Sequence, residues 1–237
     1  MITRILLTSG GFNSGYLYKA KSSGIQTAFA TANLAIRREA LKEAGLFDEK
    51  CITCEDRDLT LRVLDTKWGA YYERRAIVRH IFRPTLKGLL KQWYGYAFYH
   101  PYLLKKHIRK GVEIYLPLTK SFTAVYRMPF PFRIIIRLTS FYLFHFSLAL
   151  SILFHALGGD LLANCFVLLS LIFGLKHFFL FFSLKKPIEG FAYMGIRYLL
   201  NWASVVGGLV GGLRQGMIYL ETTAEKNPIP EYPGEQS

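Results

Sequence analysis

Hydrophobic and polar positions divide the chain in two. Up to about residue 137 they recur at helix or strand spacing, and beyond it polar residues nearly vanish. In the first part, Arg37-Arg38-Glu39-Ala40-Leu41-Lys42-Glu43-Ala44 is a run of strong helix formers, and Gly45 is a natural stop behind it. A second helix is predicted from Glu55. Thr53 is its expected cap, Glu55, Asp56 and Asp58 occupy its first turn, and Leu59, Val63 and Leu64 form its apolar stripe. Gly69 closes it after Trp68. Ala70 to Phe82 is rich in β-formers and reads as a strand with Ala76, Val78 and His80 on one face. Pro84-Thr85 opens a third helix with Leu86, Leu89, Leu90, Trp93 and Tyr94 on one side, expected to run to Pro101. This αβα order holds too little β for a full α/β sheet.

The apolar part predicts membrane helices. Leu138–Leu157 carries no Asp, Glu, Lys or Arg, and Leu161–Leu184 carries only Lys176, so each has the length and polarity of one span. The weaker stretch 191–213 has Arg197 near its start. Residues 156–160 suffice only for a tight turn, which makes the first two spans a hairpin. Arg127, Arg133 and Arg137 precede it, Lys185, Lys186 and Arg197 follow it, and the turn has no basic residue, so the N-terminal part is expected in the cytoplasm. Gly207, Gly208, Gly211 and Gly212 form two overlapping G-x-x-x-G pairs, read as a packing face within this chain rather than a dimer contact. His145, His155 and His177 lie in or near the spans and read as satisfied against neighbouring helices. Residues 112–137, punctuated by Pro117, Pro129 and Pro131 and rich in aromatics, are expected to lie along the membrane surface. Residues 214–237 read as an acidic, flexible tail.

Charge sharpens the division. Of the 30 Lys and Arg and 16 Asp and Glu in the chain, 24 and 10 fall in residues 1–137, and 6 and 6 fall beyond, so the whole net charge of +14 lies on the first part. Between Arg74 and Val112 there is no acid, while Arg74, Arg75, Arg79, Arg83, Lys87, Lys91, Lys105, Lys106, Arg109 and Lys110 are basic. Beside a membrane such a stretch points first to anionic lipid headgroups and second to an anionic substrate. Nucleic acid ranks last, because nothing reads as a recognition helix or an RNP sheet. A mean hydropathy of +0.21 agrees with membrane segments. Cys51-x-x-Cys54 has no second pair to complete a zinc site, and the two read as loop thiols. The chemically interesting run is Glu55-Asp56-Arg57-Asp58, which by composition alone could be mere helix-start chemistry.

Several residues then fall into one ordered pattern. These are Thr31-Ala32-Asn33 through Arg37-Arg38-Glu39-Ala40-Leu41; Gly45-Leu46-Phe47-Asp48-Glu49; Glu55-Asp56-x-Asp58-Leu59-x-x-Arg62; Trp68-Gly69; Val78-Arg79-His80; and Gln92-Trp93-Tyr94-Gly95-Tyr96. Order and spacing resemble the second half of the catalytic domain of family-2 glycosyltransferases, which are inverting enzymes of GT-A fold, many with C-terminal membrane helices. The resemblance implies a partial GT-A α/β domain over 1–111, the surface segment 112–137, two to three transmembrane helices (138–157, 161–184, 191–213) and the tail.

It further implies that Asp56 is the base deprotonating the acceptor hydroxyl, that Glu55 supports it, and that Asn33 and Arg37 line the substrate site. Gln92, Trp93 and Tyr94 stand where processive members carry Q-x-x-R-W; the Arg-Trp is absent, which favours a single transfer. His80 matches a strand-end His of the diphosphate or metal region. The implied partners are a nucleotide-sugar donor, a lipid-linked or polysaccharide acceptor and membrane lipids, with Mg or Mn as cofactor. Residues 1–27 hold no Asp or Glu and cannot supply the family's nucleotide-binding βαβ units with their Asp-x-Asp, so the expectation is a truncated product, a late start in a longer frame, or one half of a split enzyme whose partner is a separate N-terminal half. The competing expectation is a non-catalytic membrane-bound scaffold that binds anionic lipid or a partner protein.

Overall fold

The computed structural model describes residues 24–25, 31–73, 76, 78, 85–117, 123–181, 187–220 and 222. Helix α1, Arg38–Glu43, ends as its composition predicts. Gly45 adopts φ +83°, and the N–H groups of Leu46 and Gly45 bond to the carbonyls of Leu41 and Lys42, which satisfies the last turn. Helix α2, Glu55–Leu64, begins at the predicted residue, and Leu59 and Val63 join Ala44 in a core flanked by Ile36, Leu41 and Trp68.

Of the predicted strand 70–82, the described residues form strand at Tyr71–Tyr72. A two-residue strand β1, Gly24–Ile25, pairs antiparallel with β2, Tyr71–Tyr72. The N–H of Ala76 bonds to the carbonyl of Glu73 (3.1 Å). Most of the remaining positions to Phe82, His80 among them, lie outside the described residues.

Helix α3, Leu86–His107, starts where Thr85 accepts a hydrogen bond on Oγ1 from the N–H of Gly88 (3.1 Å). It does not stop at Pro101. Proline removes one intrahelical bond, but the following turn is anchored: Leu103 is buried, Leu104 packs on a sheet, and Lys106 and His107 bond to Asp58.

Residues 112–137, expected as a surface-lying segment, fold into three strands: β3 (Gly111–Pro117), β4 (Thr123–Met128) and β5 (Arg133–Arg137). The prolines mark strand ends and links, and the β-formers between them alternate as strands require. β3 pairs antiparallel with β4 and parallel with β5. The expected tail is also ordered at its start. Met217–Leu220 forms β6, parallel to β5, with Met217 and Tyr219 only 4% and 2% exposed against Ile135. The sheet order is β4-β3-β5-β6.

Helices α4 (Ser140–Ala156) and α5 (Asp160–Phe181) make the predicted hairpin around residues 157–159. Among the described residues one helix, over Asp160–His177, is long and apolar enough to cross a membrane. Ser140–Ala156 is apolar but has 17 residues, about 25 Å of helix and short of a full span. The third expected span lies within helix α6, Pro187–Arg214, which buries Arg197, Asn201 and Ser204. A face of that kind packs against protein. It meets α3 along Gly207 and Gly211, where an added Cβ would fall on the carbonyl oxygens of Tyr94 and Phe98. The paired glycines therefore work within the chain. Leu89, Trp93 and Leu200 form the α3–α6 core.

Candidate active site

The chain enters α2 through a left-handed residue. Cys54, at φ +73° and ψ +14°, takes the cap position in place of the predicted Thr53 and makes no side-chain cap bond. Thr53 instead donates from Oγ1 to the carbonyl of Gly95 on α3 (3.4 Å). A non-glycine residue in this region costs on the order of 1–3 kcal/mol, and here it directly precedes Glu55 and Asp56.

Both acids are half-buried and held by neutral donors. Asp56 accepts on Oδ1 from its neighbour's N–H, that of Arg57 (2.7 Å), and on Oδ2 from the N–H of Thr31 (3.3 Å). Glu55 accepts on Oε1 from the hydroxyl of Thr31 (3.2 Å). The short 3-10 turn Thr31–Asn33 thus lies over the acid pair, and the Asn33 amide donates to the carbonyl of Ala76 (2.8 Å). Thr31 ties the turn that carries Asn33 to Glu55 and Asp56.

The other predicted residues are placed differently. Arg37 is exposed with its guanidinium 5.9 Å from the ring centre of Trp68, whose indole N–H donates to Glu43 (2.8 Å). Trp93 is 6% exposed and belongs to the α3–α6 core. Tyr94 stacks on Phe98 at 5.8 Å, with its backbone beneath Gly207. Gln92 donates to the hydroxyl of Tyr96 (2.8 Å). His80 lies outside the described residues.

Sequence reasoning missed the partners of Asp58. This carboxylate is 0% exposed. It accepts from Arg62 Nε (2.9 Å) and Nη2 (2.8 Å), Lys106 Nζ (2.7 Å) and His107 Nε2 (2.9 Å). Lys106 also reaches Asp48 (2.8 Å), which accepts from the hydroxyl of Tyr102 (2.9 Å). Burial alone would raise the Asp58 carboxyl; the bonds from Lys106, His107 and Arg62 outweigh it and hold it below the usual carboxylate range. The same Lys106 bond leads in lowering Asp48 from 3.8 to about 2. The network fastens α2 to the end of α3, two residues from Asp56. A spacing signal existed: Asp58 and Arg62 are an i,i+4 pair. Nothing local pointed to Lys106.

A second missed link runs from Arg57. Its Nη1 lies 3.4 Å from Nε2 of His100, and the other ring nitrogen of His100 bonds to the hydroxyl of Tyr219 on β6. Cys51 and Cys54 carry no reactive thiolate at neutral pH, since burial pushes their thiols up to about 12 and about 11.

A carboxylate with only N–H partners keeps lone pairs for a substrate proton. Among the described residues no group of three His, Cys, Asp or Glu side chains could hold a metal ion. The chemistry below is derived from the chain's own groups.

The model of one protein family, described as glycosyl transferase family group 2, matches residues 12–206. No curated protein and no solved structure matches the chain. The mixed sheet and its helices fit a partial GT-A-like fold.

Proposed function

The chain belongs to the family-2 glycosyltransferases, which transfer a sugar from a nucleotide-sugar donor to an acceptor, and from that premise we propose that Asp56 is the general base of an inverting hexosyl transfer. The acceptor hydroxyl gives its proton to Asp56 as its oxygen attacks the anomeric carbon. The bond from that carbon to the nucleoside diphosphate breaks from the opposite face, and the configuration inverts. Glu55 keeps Thr31 over the site, and Asn33 stands beside it. The observation that carries this reading is the exposure and bonding of Asp56, half-buried and bonded to two backbone N–H groups while Asp58 beside it is fully engaged.

The acceptor is lipid-linked or a polysaccharide, presented at the cytoplasmic face of a membrane. Support comes from the one helix long and apolar enough to cross, Asp160–His177, and from the basic residues flanking the hairpin. In this reading 1–111 is the catalytic part, 112–137 joins it to the membrane, and 138–213 anchors it. Part of the donor site is expected from chain outside this site's residues.

The test uses membranes carrying the full-length protein. Donor sugar labelled at the anomeric carbon should appear in an extractable acceptor with inverted configuration by NMR. Retained configuration would contradict the mechanism. Absence of any transfer, together with binding to anionic liposomes, would favour the scaffold instead.

A further inference from the structure

Glu55-Asp56-Arg57-Asp58 contains three acids and one cation, yet none of the acids takes the cation's side chain. Glu55 is bonded to Thr31, Asp56 to two backbone N–H groups, and Asp58 to Arg62, Lys106 and His107. The exposed guanidinium of Arg57 reaches over α3 and meets an imidazole nitrogen, that of His100, at 3.4 Å. Among the described residues no carboxylate pairs with it. A guanidinium has five N–H donors, and one ring nitrogen uses one of them. The side chain is exposed, so the rest are open to a ligand from solvent.

The surrounding face of α3 is polar and continuous. Gln92, Tyr96 and His100 recur at i, i+4 and i+8, so they stand above one another along about 12 Å of helix. Gln92 and Tyr96 are hydrogen-bonded, and Thr53 ties the start of α2 to Gly95 on the same stretch. No acid occurs anywhere from residue 74 to residue 112, so α3 itself brings only positive charge to this face, and the acids near Arg57 all come from α2 and its approach. Trp93 and Tyr94 face α6 and take no part.

We propose that Arg57, with His100 behind it, is the anion-binding edge of the acceptor site, and that the acceptor carries a phosphate group close to the hydroxyl that reacts. The inference rests on Asp56 marking the acceptor site. A phosphate there would take two donors from Arg57 in the fork geometry guanidinium favours. Gln92 and Tyr96 extend the edge with groups that suit hydroxyls.

The experiment is equilibrium binding to the full chain in nanodiscs, with farnesyl phosphate, farnesol and UDP as probes. The wild type should bind farnesyl phosphate at least tenfold more tightly than farnesol. Arg57→Ala should abolish that preference and leave UDP binding unchanged, and Arg57→Lys should keep part of it. Because Arg57 is exposed, unchanged circular dichroism is expected for both variants. An unchanged preference in Arg57→Ala, or no preference in the wild type, overturns the proposal. So does a loss of UDP affinity alone, which would assign the edge to the donor diphosphate. Abolition of binding by phosphatidylglycerol in the nanodisc would assign it to bilayer headgroups and also overturns it. Asp56→Asn should retain the phosphate preference. If Asp56→Asn also kept full transfer, the base assignment would fall while the binding result stood.

Discussion

The ammonium group of Lys106 stands 2.7 Å from the buried carboxylate of Asp58, 48 residues away along the chain. This pair, with Arg62 and His107, fixes the helix that carries Asp56 against α3. Removing the buried acid would leave Arg62, Lys106 and His107 without their shared partner. Asp58→Ala should therefore lower stability by about 3–5 kcal/mol. Lys106→Met, which leaves Arg62 and His107 on Asp58, should cost less, about 1–3 kcal/mol. Thermal melting in detergent micelles measures both, and equal costs would refute a shared clamp.

The same network sets an acid limit. Asp48 and Asp58 are both held below the ordinary carboxylate value of 3.8, Asp48 at about 2. A depressed native value means that the unfolded chain binds the proton more readily. The stabilisation is thus complete above about pH 4 and disappears as pH falls toward about 2. Lys106→Met, lacking the bond that does most to lower Asp48, should show a shallower loss of stability across that window.

Helix α6 carries an internal contrast. At Gly211 and Gly207 a methyl group would collide with backbone carbonyls of α3, whereas at Gly195 nothing lies within 4 Å. Gly211→Ala should destabilise by about 1–3 kcal/mol through forced separation of the helices. Gly195→Ala should stabilise by about 0.5–1 kcal/mol through helix propensity. Stability measurements giving the same sign for both would contradict the close α3–α6 approach.

What could be read in the chain beforehand was local. The Gly45 stop, the start of α2 at Glu55, the opening of α3 after Thr85 and the α4–α5 turn each depend on a few adjacent residues, and the structure has them. What could not be read was non-local. β5 and β6 pair across the whole helical region between them, and Met217–Leu220 has no neighbour in sequence to announce a strand. Cys54 displaced Thr53 as the cap because Thr53 found a partner on α3. Pro101 failed to end its helix because the next turn is held from α2 and from the sheet. In the site, Thr31 ties the turn that carries Asn33 to Glu55 and Asp56, while Trp93 and Arg37 are drawn to Leu200 and Trp68, contacts that no linear pattern reveals.

The apolar hairpin gives a membrane prediction. Leu168 is exposed at the middle of Asp160–His177. Leu168→Arg should weaken insertion by about 2.5–3.5 kcal/mol on the translocon scale. Alkaline extraction of membranes should release more of this variant than of wild type. Equal retention of both would mean that α5 does not cross.

The central claim is that Asp56 accepts the acceptor's proton. Asp56→Asn preserves shape and one of the two backbone hydrogen bonds but removes the basic oxygen. With the full-length protein in membranes and a labelled nucleotide-sugar donor, kcat should fall by about 10²–10⁴-fold with the donor KM nearly unchanged. Transfer by the Asn variant at the wild-type rate would contradict the account.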